Sequence, residues 1–142
     1  MSNSEIYMSI EELNRICKDS FVDHLGIRFE EFDGHSIRGS IEITAAHLQP
    51  VGVVHGGVYI SLAETLAGAG SAILVENEGK QAFGTTVSSQ HLASVSGGKI
   101  TGVAALIHRA SFKHIWDVKI SDENGKLISI SRVTNSIKES NP

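Results

Sequence analysis

The chain has 142 residues, of which 41% are hydrophobic and 20% are charged, and its formal net charge is −4. This size and composition are typical of one globular domain, so we expect residues 1–142 to form a single domain. The acidic balance argues against a nucleic-acid partner, and the only cysteine, Cys17, excludes an internal disulfide and favours a reducing compartment.

The N-terminal region predicts a short helix and no targeting signal. Residues 1–8 lack a basic stretch followed by an apolar run, and no segment approaches the ~20 apolar residues of a membrane span. We therefore expect a cytoplasmic protein with no membrane partner. Ser9 and Glu12 match a capping box, and apolar residues at helical spacing predict a helix over 10–18, which Phe21 to Leu25 can extend.

The hydrophobic pattern changes to a period of two after Ile27. A strand over 29–32, the hairpin signal Asp33-Gly34 and a strand over 37–43 come first. The longest helical candidate follows, over residues 56–77, and then four alternating segments near 81–95, 99–109, 112–121 and 127–137. This order predicts an α+β fold in which a six-stranded antiparallel sheet curves around one long helix.

A polar, glycine-rich motif leads into the long helix. Gln49 and His55 precede Gly56-Gly57, and Glu64 follows two turns later among small and apolar residues. Glycines at a helix start leave backbone N–H groups bare, which suits them to polarise a carbonyl oxygen. Glu64 has no lysine or arginine three or four residues away, so it lacks the usual surface pairing of a helix. The motif therefore predicts a carbonyl-binding site with a base or nucleophile.

The element order and the motif resemble the hotdog fold, and in particular the acyl-CoA thioesterases of the 4-hydroxybenzoyl-CoA and phenylacetate-pathway (PaaI-like) type. The resemblance extends from Leu25 to Thr134. Its most specific part is His55-Gly56-Gly57 followed by Leu62-Ala63-Glu64, with Gln49-Pro50 upstream. Further stretches are similar to 1,4-dihydroxy-2-naphthoyl-CoA hydrolases and enterobactin-pathway proofreading thioesterases: Gln90-His91, Ser111, Trp116 and residues 129–134.

The resemblance implies hydrolysis of an aryl- or medium-chain acyl-CoA thioester, with CoA as part of the substrate and no separate cofactor. It assigns the Gly57 N–H to the oxyanion, Glu64 to base or nucleophile, and Gln49 and His55 to positioning the thioester or the water. The residues that it implies in substrate binding are Gly56, Thr65, Gly68, His91, Ser111 and Lys113. It also implies a channel for the CoA arm along the strand after the long helix and the 110–114 turn.

The spacing of Gly57 and Glu64 bears on how many chains form the site. Seven helical residues separate them by roughly 10 Å along the axis, on nearly the same face. One thioester carbonyl at Gly57 would therefore be too far from the Glu64 of its own chain. Two antiparallel helices related by a two-fold axis bring Glu64 beside the second chain's Gly57, which favours a homodimer with composite sites. The family resemblance implies the same arrangement, with a dimer of dimers as a further option.

Several alternatives remain open on the sequence. An acyl-CoA-binding module without hydrolysis and a 3-hydroxyacyl thioester dehydratase are the other functions, although the order of the motif fits a thioesterase better. Gly68 stands where the subgroup usually has Ser or Thr, and Ala93 where it sometimes has Arg. His91 fits a polar strand face as well as a substrate contact, and Lys113 and His114 fit either a contact with the CoA phosphates or an exposed turn. No histidine spacing matches a zinc site, so we assign no metal.

Overall fold

The computed structural model describes residues 7–140 and has the predicted α+β architecture. Its helices are α1 (Ile10–Ile16), α2 (Phe21–His24) and α3 (Gly56–Glu76), with a 3-10 turn at Ala45–His47. Its strands are β1 (Arg28–Phe32), β2 (Ser36–Glu42), β3 (Lys80–His91), β4 (Lys99–Arg109), β5 (Lys113–Ser121) and β6 (Leu127–Glu139). The strands form one antiparallel sheet in the order β1-β2-β4-β5-β6-β3, so β1 and β3 are its edges.

The predicted N-terminal helix ends earlier than expected. The backbone at Asp19 adopts a left-handed conformation (φ 63°), so the apolar residues after it form the separate helix α2. The Ser9 hydroxyl accepts a hydrogen bond from the Glu12 N–H at 3.1 Å, as a capping box requires. The Glu12 carboxylate, however, pairs with Arg15 instead of returning to Ser9, so only half of the predicted capping box is formed.

The sheet wraps closely around α3 because glycines face the helix at the points of contact. A Cβ atom built on Gly39 or on Gly102 would lie 2.8 Å or 2.7 Å from a methyl carbon of Leu66. On the helix itself, a Cβ on Gly70 would lie 2.5 Å from the Trp116 ring. Leu66 and Trp116 are both fully buried, so they cannot move aside. The small residues therefore fix the depth at which α3 lies in the sheet.

Helix α3 corrects the expectation that no segment approaches a membrane span. Its 21 residues are long and apolar enough to cross a membrane by length and composition, with a mean hydropathy of 1.6 in the best window. Of that window, 61% is buried inside the fold. Since α3 contacts β2 to β6, this is the composition of a core helix covered by a sheet.

A buried polar network joins α3 to β5 and β6. The Ser71 Oγ accepts hydrogen bonds from the Trp116 Nε1–H at 2.8 Å and from the Asn135 side-chain amide at 2.9 Å. Its own proton is therefore free to donate to His114 Nδ1, also at 2.8 Å. Burial lowers the pKa of His114, which favours the neutral ring that this hydrogen bond requires. His114 is 1% exposed, so the interpretation of this residue as part of an exposed turn is wrong.

Replacing the centre of this network tests its contribution to stability. We expect Ser71→Ala to lower the free energy of unfolding by about 2–3 kcal/mol, because the buried Trp116 and Asn135 donors each lose an acceptor. Ser61→Ala, a substitution of the same type on a half-exposed turn of α3, should change it by less than about 0.5 kcal/mol. Denaturant unfolding of both variants gives the comparison, and equal effects would contradict the assignment.

Candidate active site

The loop before α3 is a small closed turn that presents Gln49. Leu48 and Val54 form a β-bridge, and the Gln49 N–H donates to the Val53 carbonyl at 2.8 Å. Gly52 has a φ of 86°, a left-handed conformation that glycine adopts without strain. Gln49 is half-buried, and its side-chain amide makes no hydrogen bond with another residue between 7 and 140. Its donor and acceptor are therefore available to a ligand.

His55 is the N-cap of α3, and this modifies the expected role of Gly57. The Gly57 N–H donates to His55 Nδ1 at 2.8 Å, so it is occupied and not bare as the sequence suggested. Because Nδ1 accepts this bond, the neutral ring carries its proton on Nε2. The neighbouring Gly56 N–H donates to no other residue in the described part of the chain. The start of α3 thus offers one free N–H group, that of Gly56, and one, that of Gly57, which is hydrogen-bonded to the exposed side chain of His55.

His91 lies at the start of α3 and not on the outer face of the sheet. A Cβ atom built on Gly56 would lie 2.8 Å from His91 Nε2, so the glycine makes room for the ring. The other nitrogen, Nδ1, is 2.8 Å from the Ser129 hydroxyl, and the ring centroid is 5.2 Å from that of Tyr59. The sequence left His91 either on a polar strand face or in contact with the substrate. Its position beside Gly56 favours the second, because a ligand at the start of α3 would lie next to the ring.

Tyr59 and Ser129 also belong to this group of residues. Tyr59 was not among the predicted site residues, and Ser129 was named only as part of the 129–134 stretch, with no role assigned to it. Tyr59 is 2% exposed, and its hydroxyl has no hydrogen-bond partner within residues 7–140. Burial raises its pKa, so the hydroxyl stays protonated. No local sequence signal points to either residue, because a tyrosine in an apolar helix and a serine in an alternating strand are both typical core patterns.

Glu64 lies in the middle of α3 with its carboxylate against β3. A Cβ atom built on Gly84 would lie 2.9 Å from Glu64 Oε1 and 3.2 Å from its Cγ. Glu64 is exposed, and no ion pair joins it to another described residue. The lone glycine inside a strand was the available signal for this close approach, and the sequence analysis missed it. Thr65 follows Glu64, and a Cβ on Gly68 would meet no atom within 4 Å.

Ser111 and Lys113 are not brought to Glu64 within one chain. The Lys80 ammonium lies 3.5 Å from the Ser111 carbonyl, in a cavity of about 460 Å³ that Glu78, Arg109 and His114 also line. Lys80 is the first residue of β3, and that strand then passes Glu64 at Gly84 and ends at His91. The predicted site residues therefore form three groups spaced along α3: one at its start, one at Glu64, and one near its C-terminal end.

The fold and this arrangement agree with comparisons with known proteins. Residues 51–129 match the family model of the thioesterase superfamily. The solved structure of thioesterase HI1161 from Haemophilus influenzae is 34% identical and has a TM-score of 0.90, with 94% of this chain and 93% of that chain covered. The 1,4-dihydroxy-2-naphthoyl-CoA hydrolase of Escherichia coli is 30% identical over 92% of this chain and 95% of its own length.

Two solved variants of the Staphylococcus aureus thioesterase SAV0944 are also similar. They are 30% and 31% identical to this chain, each has a TM-score of 0.80, and each covers 82% of this chain and 97% of its own. One carries alanine in place of a glutamine, and the other carries alanine in place of a glutamate fifteen positions further along.

These findings place the molecule among the thioester hydrolases with a hotdog fold. The chain belongs to the thioesterase superfamily.

The contact between Gly84 and Glu64 gives a test of the site's geometry. We expect Gly84→Ala to lower kcat/KM for thioester hydrolysis by roughly tenfold to a hundredfold, because the new methyl group displaces the Glu64 carboxylate. The melting temperature should change little, since the atom displaced is the flexible end of a side chain. Gly97→Ala is the control, because a Cβ there meets no atom within 4 Å. Full activity of the Gly84 variant would contradict the assignment.

Proposed function

We propose that this protein hydrolyses acyl-CoA thioesters with Glu64 as the reacting carboxylate. The observation that carries the proposal is the position of Glu64: exposed, free of cationic partners among residues 7–140, and held against Gly84 on the helix face that begins at Gly57. The E. coli relative is named as the hydrolase of an acyl-CoA, which supports CoA as the leaving group. The glutamine and glutamate replaced in the S. aureus protein have the same separation as Gln49 and Glu64.

Two chemical routes are compatible with this carboxylate. As a general base, Glu64 takes a proton from water while the water oxygen attacks the thioester carbon. As a nucleophile, a Glu64 oxygen attacks that carbon directly, and water then cleaves the mixed anhydride. In both routes a negative charge develops on the carbonyl oxygen, the C–S bond breaks, and the thiolate of CoA leaves and takes up a proton.

The start of α3 supports a role in binding that developing charge. An oxyanion accepts hydrogen bonds roughly twice as strong as a neutral acceptor does, so it competes better than His55 Nδ1 for the Gly57 N–H. A ground-state carbonyl oxygen is neutral and lacks this advantage. The hydrogen bond between His55 and Gly57 would therefore be exchanged mainly in the transition state, which is the condition for faster catalysis.

The composite site in a homodimer is part of the proposal. Because α3 is unbroken from Gly56 to Glu76, the separation of roughly 10 Å between Gly57 and Glu64 along the axis is maintained. Strand β3 is a 12-residue edge strand, and an open edge of this length is suited to pairing with a second copy. A two-fold axis at that edge would place two α3 helices side by side and antiparallel, with each Glu64 facing the other chain's Gly57.

Removing the reacting carboxylate tests the activity itself. We expect Glu64→Gln to lower kcat for acyl-CoA hydrolysis by roughly 10²–10⁴-fold, because an amide neither takes up the water proton nor attacks the thioester. The affinity for CoA and the melting temperature should stay close to those of the wild type. Glu42→Gln, an exposed change of the same type on β2, is the control. Release of free CoA, trapped by a thiol reagent, measures the rate, and wild-type turnover by Glu64→Gln would exclude this chemistry.

Mixing two impaired variants tests the composite site. Glu64→Gln and Gln49→Ala each damage both sites of a homodimer, whereas a mixed dimer regains one site with intact Gln49 and Glu64. Co-expression in equal amounts should therefore restore about a quarter of the wild-type activity, because half of the dimers are mixed and each has one of two sites. A mixture no more active than the average of the two variants would show that each site lies within one chain.

A further inference from the structure

A row of small residues leads from Glu64 along the exposed face of α3. Gly68 and Ala72 follow Glu64 at intervals of four residues, so the three lie one above the other on the helix. A Cβ on Gly68 would meet no atom within 4 Å, and Ala72 is exposed. Within one chain, no described residue covers this strip of α3, which we call the groove: it runs from Glu64 over Gly68 to Ala72.

This groove leads into a cavity between α1, α3 and β3. The cavity has a volume of about 450 Å³, and it begins at Ala72 on the helix and at Ala82 and Phe83 on the strand, directly before Gly84. Most of its lining residues are apolar, with Met8, Leu13, Ile16, Ile73 and Phe83 among them. The polar ones, Glu76, Lys80, Gln81 and Ser140, belong to the C-terminal end of α3, the start of β3 and the end of the described chain. Ile16 is 52% exposed and Phe83 is 50% exposed, so large apolar side chains are left uncovered here.

We propose that this cavity binds the far end of an extended, apolar acyl chain whose thioester carbon lies at Glu64, and that the enzyme therefore prefers long aliphatic acyl groups. The proposal rests on the proposed function and adds the substrate class to it. Ala72 lies about two turns beyond Glu64 on α3, and Ala82 lies two residues before Gly84 on the same face of β3, so both walls of the cavity begin close to the reacting carboxylate. The volume lies within the range of about 300–1,000 Å³ that is typical of small-molecule sites.

The distance from Glu64 to the cavity sets the length of the acyl group. Ala72 lies eight residues beyond Glu64, which is about 12 Å along the helix axis. An extended chain of single bonds advances about 1.2 Å per bond, as the polypeptide backbone does, so about ten bonds span this distance. A short or a single-ring aryl acyl group would end over Gly68 and would leave the cavity empty.

A series of substrates of increasing length tests the proposal. The rate of CoA release is measured for butyryl-, decanoyl- and tetradecanoyl-CoA and for benzoyl-CoA as the aryl probe. We expect kcat/KM to rise by about fourfold for each methylene group that enters the cavity, the value expected for the burial of one methylene. Hydrolysis of benzoyl- or butyryl-CoA with no gain for longer chains would overturn this inference and leave the proposed function intact. Hydrolysis of none of them would contradict both.

Two variants on opposite walls test the location. Ile16→Glu puts a charge on the α1 wall, and Ala72→Phe fills the junction between groove and cavity. Each should lower the ratio of kcat/KM for tetradecanoyl-CoA to that for butyryl-CoA by at least about tenfold. Ile107→Glu is the matched control, because Ile107 is 48% exposed on β4 outside the cavity and should leave the ratio unchanged.

The same variants also test whether a second copy of the chain, and not an acyl group, fills the cavity. Sedimentation velocity of Ile16→Glu and Ala72→Phe should give the oligomeric state of the wild type. A shift to a smaller species without a change in the substrate ratio would show that the cavity is covered by a second copy of the chain, and it would overturn the assignment to the acyl group. An unchanged ratio in both variants would overturn it as well.

Discussion

The close approach of α3 to the sheet is the constraint on which the rest of the structure depends. Gly39 and Gly102 allow Leu66 to pack directly on the strand backbones, and Gly70 allows Trp116 to pack directly on the helix. An interior this dense has no spare volume, so the axial position and the rotation of α3 are both fixed. The buried hydroxyl of Ser71 adds hydrogen bonds to the same interface. The side chains on this helix, Glu64 among them, consequently lie at a defined distance from the sheet.

The same close packing organises the functional groups. Gly84 and Gly56 are contact points at which the strand and helix backbones make room for Glu64 and His91. One strand, β3, therefore passes all three groups of predicted site residues in turn. At Gly68 a small residue has the opposite effect, because a Cβ atom there would meet no other described residue within 4 Å. Small residues thus both position the Glu64 carboxylate and leave space beside it.

Much of this could be predicted from the sequence, because the periodic patterns are strong. The long helix was predicted to within one residue of Gly56–Glu76, and β4 was predicted with its observed bounds. The His55 cap on Gly57 and the position of His91 could not be predicted, since both depend on side-chain placement between distant segments. The break at Asp19 is a left-handed residue for which the hydrophobic period gives no sign. The separation of Ser111 and Lys113 from Glu64 follows from the path of β3, which a local motif does not encode.

The central claim is that a thioester is bound between Glu64 of one chain and the start of α3 of another. A crystal structure of the Glu64→Gln variant with an intact acyl-CoA tests this most directly, because it shows the substrate before cleavage. We predict the thioester carbon beside residue 64 of one protomer, with its carbonyl oxygen about 2.7–3.1 Å from the Gly57 nitrogen of its partner. A thioester whose carbon and oxygen are both held by one protomer, or whose oxygen lies away from the start of α3, would contradict the account.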